Sequence, residues 1–262
     1  MKKVKYLFPV LFLLFYGCGN SNTTLSGDSQ TQDKEAIVDV LYDISMEEIF
    51  VKDTNCRSEL KDCSHILISF PVFNDIKYSR ANLKINHLIA DLVGYGDAES
   101  NSIVDIGLAA NNIIKDYNSF KTDFPESSQI WHFRLKSGIT FQDKEKISIL
   151  FLSESFMGGA HGSLNQIYLN FDSNGNILKG EDLIDNLDLF KSIAEKKFRI
   201  KKNIKEGETY SSVGFNFPND KFRLAAHIGM SDNAYIIHYN SYEIAPYASG
   251  PTQLEIRFDE LK

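Results

Sequence analysis

Apolar and polar positions change their spacing several times along the chain, and each change marks an element. Val38-Asp39-Val40-Leu41-Tyr42 and Ile49-Phe50-Val51 are short apolar runs that predict strands, and Ile66 to Phe73 is a longer one. Between residues 79 and 93, Leu83, Ile85, Leu88, Ile89 and Leu92 recur at helical spacing. Ile103, Ile106, Ile113, Ile114, Tyr117 and Phe120 do the same over 101–121. The period then falls to two: Ser128 to Lys136 alternates, and Ile147–Ser155 and Asn165–Phe171 follow as strands. They lead into a turn at 172–176, where Asn174-Gly175 tolerates positive φ. Glu181 to Ile200 carries a helical stripe of Leu183, Leu187, Phe190, Ile193, Ala194 and Phe198. Phe222–Met230, Ala234–Tyr239 and Leu254–Phe258 close the chain as strands, the first two joined by Ser231-Asp232-Asn233. This order predicts an α+β fold of two lobes, with helices packed on a largely antiparallel sheet.

The first residues fall outside that pattern. Lys2, Lys3 and Lys5 precede an apolar run, Tyr6 to Tyr16, that is too short to span a bilayer and fits an export signal. The run ends at Phe15-Tyr16-Gly17-Cys18, which resembles a bacterial lipobox and makes Cys18 the expected site of lipidation. A cleaved secretory signal with an incidental cysteine is the alternative. Residues 19–34 are polar, with too little apolar surface to offset chain entropy, and read as a flexible tether. The expected location is the cell envelope, at the outer membrane or facing the periplasm if the cell is Gram-negative.

Composition narrows the function classes. The formal net charge is −7, and it becomes more negative once the three leader lysines are removed. With no basic face in the pattern, nucleic acid is not an expected partner. Cys56 and Cys63 are the remaining cysteines, and an even pair in an oxidising compartment predicts a structural disulfide. No histidine or cysteine spacing completes a metal site, and no cofactor fingerprint appears.

Two glycine-punctuated segments carry a family resemblance. Ser155-Phe156-Met157-Gly158-Gly159-Ala160-His161-Gly162 is followed by Tyr168-Leu169-Asn170-Phe171-Asp172, Gly175 and Gly180-Glu181-Asp182-Leu183. Far downstream comes Tyr242-Glu243-Ile244-Ala245-Pro246-Tyr247-Ala248-Ser249-Gly250. Together these resemble the domain shared by the anti-sigma factor RsiV and the peptidoglycan deacetylase PdaC. The segment from Ile66 to Phe73 with its following helix is similar to the companion N-terminal domain. With the signal and lipobox over 1–18 and the tether over 19–34 read from the residues, the resemblance implies a PdaC-like domain over 35–144 and an RsiV-like domain over 145–262. Neither a sigma-binding segment nor a deacetylase catalytic domain is expected in this chain, so a sensing or binding module is what carries over.

His161 is the candidate for chemistry, because two glycines before it let a loop present an imidazole to a ligand. Gly-Gly in an antiparallel pair also marks a bulge or tight bend, and that structural reading stands beside the functional one. Tyr242 and Tyr247 offer amphipathic rings suited to a glycan or protein, or else staple their loop to the sheet. With Trp131, Phe156 and Tyr168 they are expected to line one groove near His161. The ligand-binding candidates are therefore Gly158, Gly159, His161, Tyr242 and Tyr247. The leading expectation is a lipid-anchored envelope protein whose head binds a cell-wall glycan or a wall-active protein such as lysozyme, without catalysis. A hydrolase using His161 and a purely structural lipoprotein are the alternatives.

Overall fold

The computed structural model describes residues 42–94 and 102–262. The leader, Cys18, the tether and the strand expected over 38–42, apart from Tyr42, lie outside the described residues. Twelve principal elements follow in chain order: β1 (Ile44–Lys52), β2 (His65–Phe73), α1 (Ser79–Leu92), α2 (Ile106–Asp123), β3 (His132–Gln142), β4 (Lys146–Phe156), β5 (Ser163–Asp172), β6 (Ile177–Leu178), α3 (Leu187–Lys201), β7 (His227–Met230), β8 (Ala234–Tyr239) and β9 (Thr252–Arg257). The α+β class is the one expected.

Six strands form one sheet in the order β1-β2-β3-β4-β5-β6, and β7-β8-β9 form a second. Every pairing is antiparallel except β2 with β3, which run parallel, with His65 opposite His132 and Ile68 opposite Leu135. The parallel pair follows from the chain path: both α1 and α2 lie between β2 and β3, which gives the long connection that parallel neighbours require.

The helices start where the sequence supplies caps. Asp105 accepts a hydrogen bond from the Leu108 N–H at 2.9 Å, and Asn186 does the same for Leu189 at 3.1 Å. The second cap divides the helix expected over 181–200 into a short turn at Gly180–Leu183 and α3. Helix α2 starts only at Ile106, so Ile103, expected on its apolar stripe, is exposed ahead of it.

Burial follows two stripes. One cluster joins Ile66, Ile68, Phe133, Leu135, Ile149 and Phe151 of the first sheet to Ala81, Ile85 and Ile89 of α1 and Ala110 and Ile113 of α2. A second cluster joins Phe190, Ala194 and Phe198 of α3 to Tyr235, Ile237 and Tyr239 of β8 and Leu254 and Ile256 of β9. Each fully buried side chain of this size contributes roughly 1.5–3 kcal/mol of transfer free energy. Alternation along β8 turns Ala234 and Ile236 the other way, into a small cluster with Tyr168 of β5. There the two sheets approach so closely that only glycine fits. A Cβ on Gly229 would sit 1.9 Å from a Tyr168 ring carbon. The strand expected over 222–230 is shortened to β7, while Phe222 and Leu224 serve the α3 cluster from the preceding loop.

The expected disulfide between Cys56 and Cys63 is present. It closes the loop between β1 and β2, a separation of seven residues.

Candidate functional site

The hairpin between β4 and β5 carries the first glycine-punctuated segment. Gly158 and Gly159 adopt φ of +92° and +94°, which a side chain would strain. Gly162 is needed for a different reason: a Cβ there would stand 2.8 Å from the Ser155 carbonyl oxygen. The hairpin turns tightly at both ends and leaves His161 exposed at its tip.

The second segment leaves β8 and folds back over this tip. Its entry is fixed by Asn240, whose carboxamide oxygen accepts the Gln166 N–H at 2.8 Å while its NH2 donates to the Gln166 carbonyl at 2.9 Å. Glu243 accepts the N–H groups of Ala226 and Asn240, each at 2.9 Å. Ile244 is buried, and its carbonyl accepts the Asn216 N–H at 2.7 Å. Between these anchors Tyr242 is held at φ +69°, a conformation uncommon for a non-glycine residue. The chain then makes a helical turn at Tyr247–Ser249 and leaves through Gly250 at φ +64°.

These constraints bring three of the sequence-derived candidates together. The His161 ring stacks on Tyr247 with centroids 4.0 Å apart and planes 13° apart. Tyr242 lies 6.3 Å from His161 and 5.6 Å from Tyr247, centroid to centroid. The His161 Nδ1 is 3.0 Å from the Gly162 carbonyl, an acceptor, so Nδ1 carries the proton. That leaves Nε2 to accept from the Tyr242 hydroxyl at 3.3 Å. The Tyr247 hydroxyl reaches the same Gly162 carbonyl at 3.5 Å, the limit of a hydrogen bond. Tyr242 is 64% exposed and Tyr247 39%, so the cluster faces solvent. Among the described residues no carboxylate is within 4.0 Å of His161. Among the same residues no group of three or more histidines, cysteines and carboxylates is gathered as a metal site.

The wider aromatic groove does not form. Trp131 stacks with Phe120 at 5.2 Å and tilts against Tyr117, both on α2. Phe156 pairs with His132, and Tyr168 is buried against Gly229. The reason is strand alternation. His132 lies opposite Phe156 and shares its face, so the adjacent Trp131 points to the other face, toward α2. Residues that sequence reasoning passed over are Asn240, Glu243 and Gln166, which position the tyrosines. A polar residue at the end of the apolar run Ala234–Tyr239 was the available signal for Asn240.

Other polar residues have structural partners. Asp172 accepts the N–H groups of Asn174 and Asn176 in its turn, and Asp182 accepts that of Lys179. His227 and His238 lie opposite each other on β7 and β8; burial, opposed by the nearby Glu243, pushes both imidazoles below their ordinary value. Burial and Arg134 do the same to His132.

Two family models match the chain. Residues 58–164 match the model described as Deacetylase PdaC, and residues 176–259 match Protein of unknown function (DUF3298). The pair of domains and their order are those expected from the sequence, while the first match runs on through residue 164, past the boundary expected at 144. The first match contains the Gly158–Gly162 segment and the second contains Tyr242–Gly250. No curated protein matches the chain. Among solved structures, a DUF3298 family protein from Pseudomonas aeruginosa PAO1 is similar at 18% identity and a TM-score of 0.54. A DUF3298 family member from Bacteroides fragilis NCTC 9343 is similar at 18% identity and a TM-score of 0.57. Each alignment covers 84% of this chain and 92% of the other, and at this identity the likeness is one of fold.

Proposed function

From this PdaC and DUF3298 architecture we propose a cell-envelope protein whose folded head binds cell-wall glycan without cleaving it, held at a membrane surface by lipid on Cys18. The observation that carries the reading is the exposed cluster of His161, Tyr242 and Tyr247, assembled from two segments about 80 residues apart in sequence. A sugar ring has an apolar C–H face and a hydroxyl edge. A cluster of amphipathic rings with hydroxyl groups at its rim complements both. Preorganisation supports binding as well: Asn240, Glu243 and the positive-φ glycines fix the rings before any ligand arrives, which lowers the entropy cost of association.

The surroundings of His161 favour binding over hydrolysis. The partners of His161 are a backbone carbonyl and a tyrosine hydroxyl, and among the described residues no carboxylate stands within 4.0 Å of it to serve as the second acid or base of a glycan hydrolase. The protein should co-sediment with purified peptidoglycan, and His161→Ala or Tyr247→Ala should weaken the interaction by about tenfold or more, the scale of one lost aromatic anchor. Binding to lysozyme but not to peptidoglycan would transfer the site to a wall-active protein. Release of soluble fragments from peptidoglycan would replace the reading with hydrolysis.

A further inference from the structure

The first sheet ends at a gap one amide wide. Its last strand, β6, is two residues long and pairs only with Asn170 and Phe171 of β5. Four residues before Asn170, the edge is occupied by a side chain: the Asn240 carboxamide takes both the N–H and the carbonyl of Gln166. Successive backbone groups of a strand point alternately toward and away from its neighbour. Since those of Gln166 point away from β4, those of Tyr168 and Asn170 do too. Asn170 is met by Leu178, and Gln166 by Asn240. Tyr168 lies between them with neither partner against it, about 7 Å along the strand from each.

This stretch of edge opens into a cavity of about 430 Å³ bounded by α1, the β6 segment and the approach to β7. Leu88 and Ile228 provide apolar wall, and Lys84, Asp91 and Lys179 stand around it. Asn170, which also lines the cavity, carries a buried polar atom without a partner. Asn170 is 2% exposed and donates through Nδ2 to the Ile228 carbonyl at 2.9 Å, but its carboxamide oxygen is buried with nothing bonded to it. Buried polar groups in folded proteins are satisfied in the great majority of cases.

We infer that this cavity binds a secondary amide: the ligand carbonyl accepts the Tyr168 N–H, and the ligand N–H donates to the Tyr168 carbonyl. The protein already makes this pairing two residues away, where a carboxamide closes the edge at Gln166. The mode is strand addition reduced to a single unit, since both flanking positions are filled. The acetamido group of a wall sugar and a peptide bond share this chemistry. The proposed glycan role guides only the choice of probes, because the cavity and the His161 cluster are separate sites.

The test is amide chemical-shift mapping on the full chain with three probes: an N-acetylglucosamine tetramer, its fully deacetylated counterpart and a tetra-alanine peptide. The expected result is a saturable shift of the Tyr168 amide with the acetylated tetramer or the peptide, and none with the deacetylated tetramer. Which probe acts identifies the source of the amide. Ala226→Trp, a change at an exposed position lining the cavity, should raise the dissociation constant at least tenfold, whereas His161→Ala should leave it unchanged. No Tyr168 shift with either amide probe, or an equal shift with the deacetylated tetramer, overturns the inference whether or not Ala226→Trp folds. Loss of the shift in His161→Ala overturns it as well, by assigning binding to the aromatic cluster.

Discussion

Asn240→Ala removes the clamp that ties the tyrosine segment to the strand carrying the His161 hairpin. The substitution deletes two hydrogen bonds, of 2.8 and 2.9 Å, to the half-buried Gln166 backbone. At about 0.5–1.5 kcal/mol each, the loss is roughly 2 kcal/mol. For a domain of this size that corresponds to a fall in Tm of roughly 4–8 °C. The bonds from the Asn240 and Ala226 N–H groups to Glu243 involve backbone and survive, so the segment loosens without detaching. The His161–Tyr247 stack should therefore weaken while the α3 cluster stays intact. Calorimetry gives the first quantity, and NOEs between the His161 and Tyr247 rings give the second. Asn240→Asp sharpens the test, because it keeps the acceptor for the Gln166 N–H but sets a carboxylate oxygen against the Gln166 carbonyl. It should be at least as destabilising as alanine at neutral pH. A Tm within about 1 °C of wild type, with ring NOEs unchanged, would refute the clamp.

Three further outcomes follow from the packing and the buried histidines. Gly229→Ala drives a methyl to within 1.9 Å of the Tyr168 ring and should cost at least the roughly 1–3 kcal/mol of overpacking; denaturant unfolding should show a much smaller loss when the substitution is made in a Tyr168→Ala background, which removes the ring and its γ carbon. Cys56→Ser with Cys63→Ser should destabilise by about 2–3 kcal/mol, the chain-entropy effect of so short a loop, read as a lower denaturant midpoint than that of the oxidised protein. His132, His227 and His238 have imidazoles depressed by burial below the unfolded value of 6.5, so the unfolded chain takes up protons first. Their contribution to stability is complete above that value and is lost as pH falls through it toward the folded values. The denaturant midpoint should thus drop between about pH 7 and about pH 5, and a flat or rising midpoint would contradict this assignment.

Much of the fold was written in the period of the apolar residues. The stripes of Ile85 and Ile89, and of Phe190, Ala194 and Phe198, mark helices whose buried faces are the ones observed. Periodicity carries no strand direction, and the parallel β2–β3 pair becomes readable only when two helices are known to separate those strands. Periodicity also cannot distinguish an apolar loop from a strand, which is why Phe222 and Leu224 read as strand although they fill the α3 cluster from a loop. At the site, the glycines announced the two turns, and the meeting of His161 with Tyr242 and Tyr247 follows from them. Trp131, Phe156 and Tyr168 were grouped by residue type, but register turns Trp131 to the opposite face from Phe156 and sets Tyr168 opposite Leu150, six residues along β4 from Phe156. Asn240 left almost no signal, because a side chain that completes a strand edge looks the same in sequence as any polar residue ending a strand.

Binding of wall glycan at the preorganised His161–Tyr242–Tyr247 cluster can be measured directly. Isothermal titration of the wild-type protein and Tyr247→Ala with soluble peptidoglycan fragments, paired with calorimetric Tm values, tests it most directly. Saturable binding by wild type, at least tenfold weaker in Tyr247→Ala, is expected, with only a modest fall in Tm because the ring is 39% exposed and packs on the exposed His161 and Tyr242. Equal affinity in both proteins, or no heat in either, would contradict it.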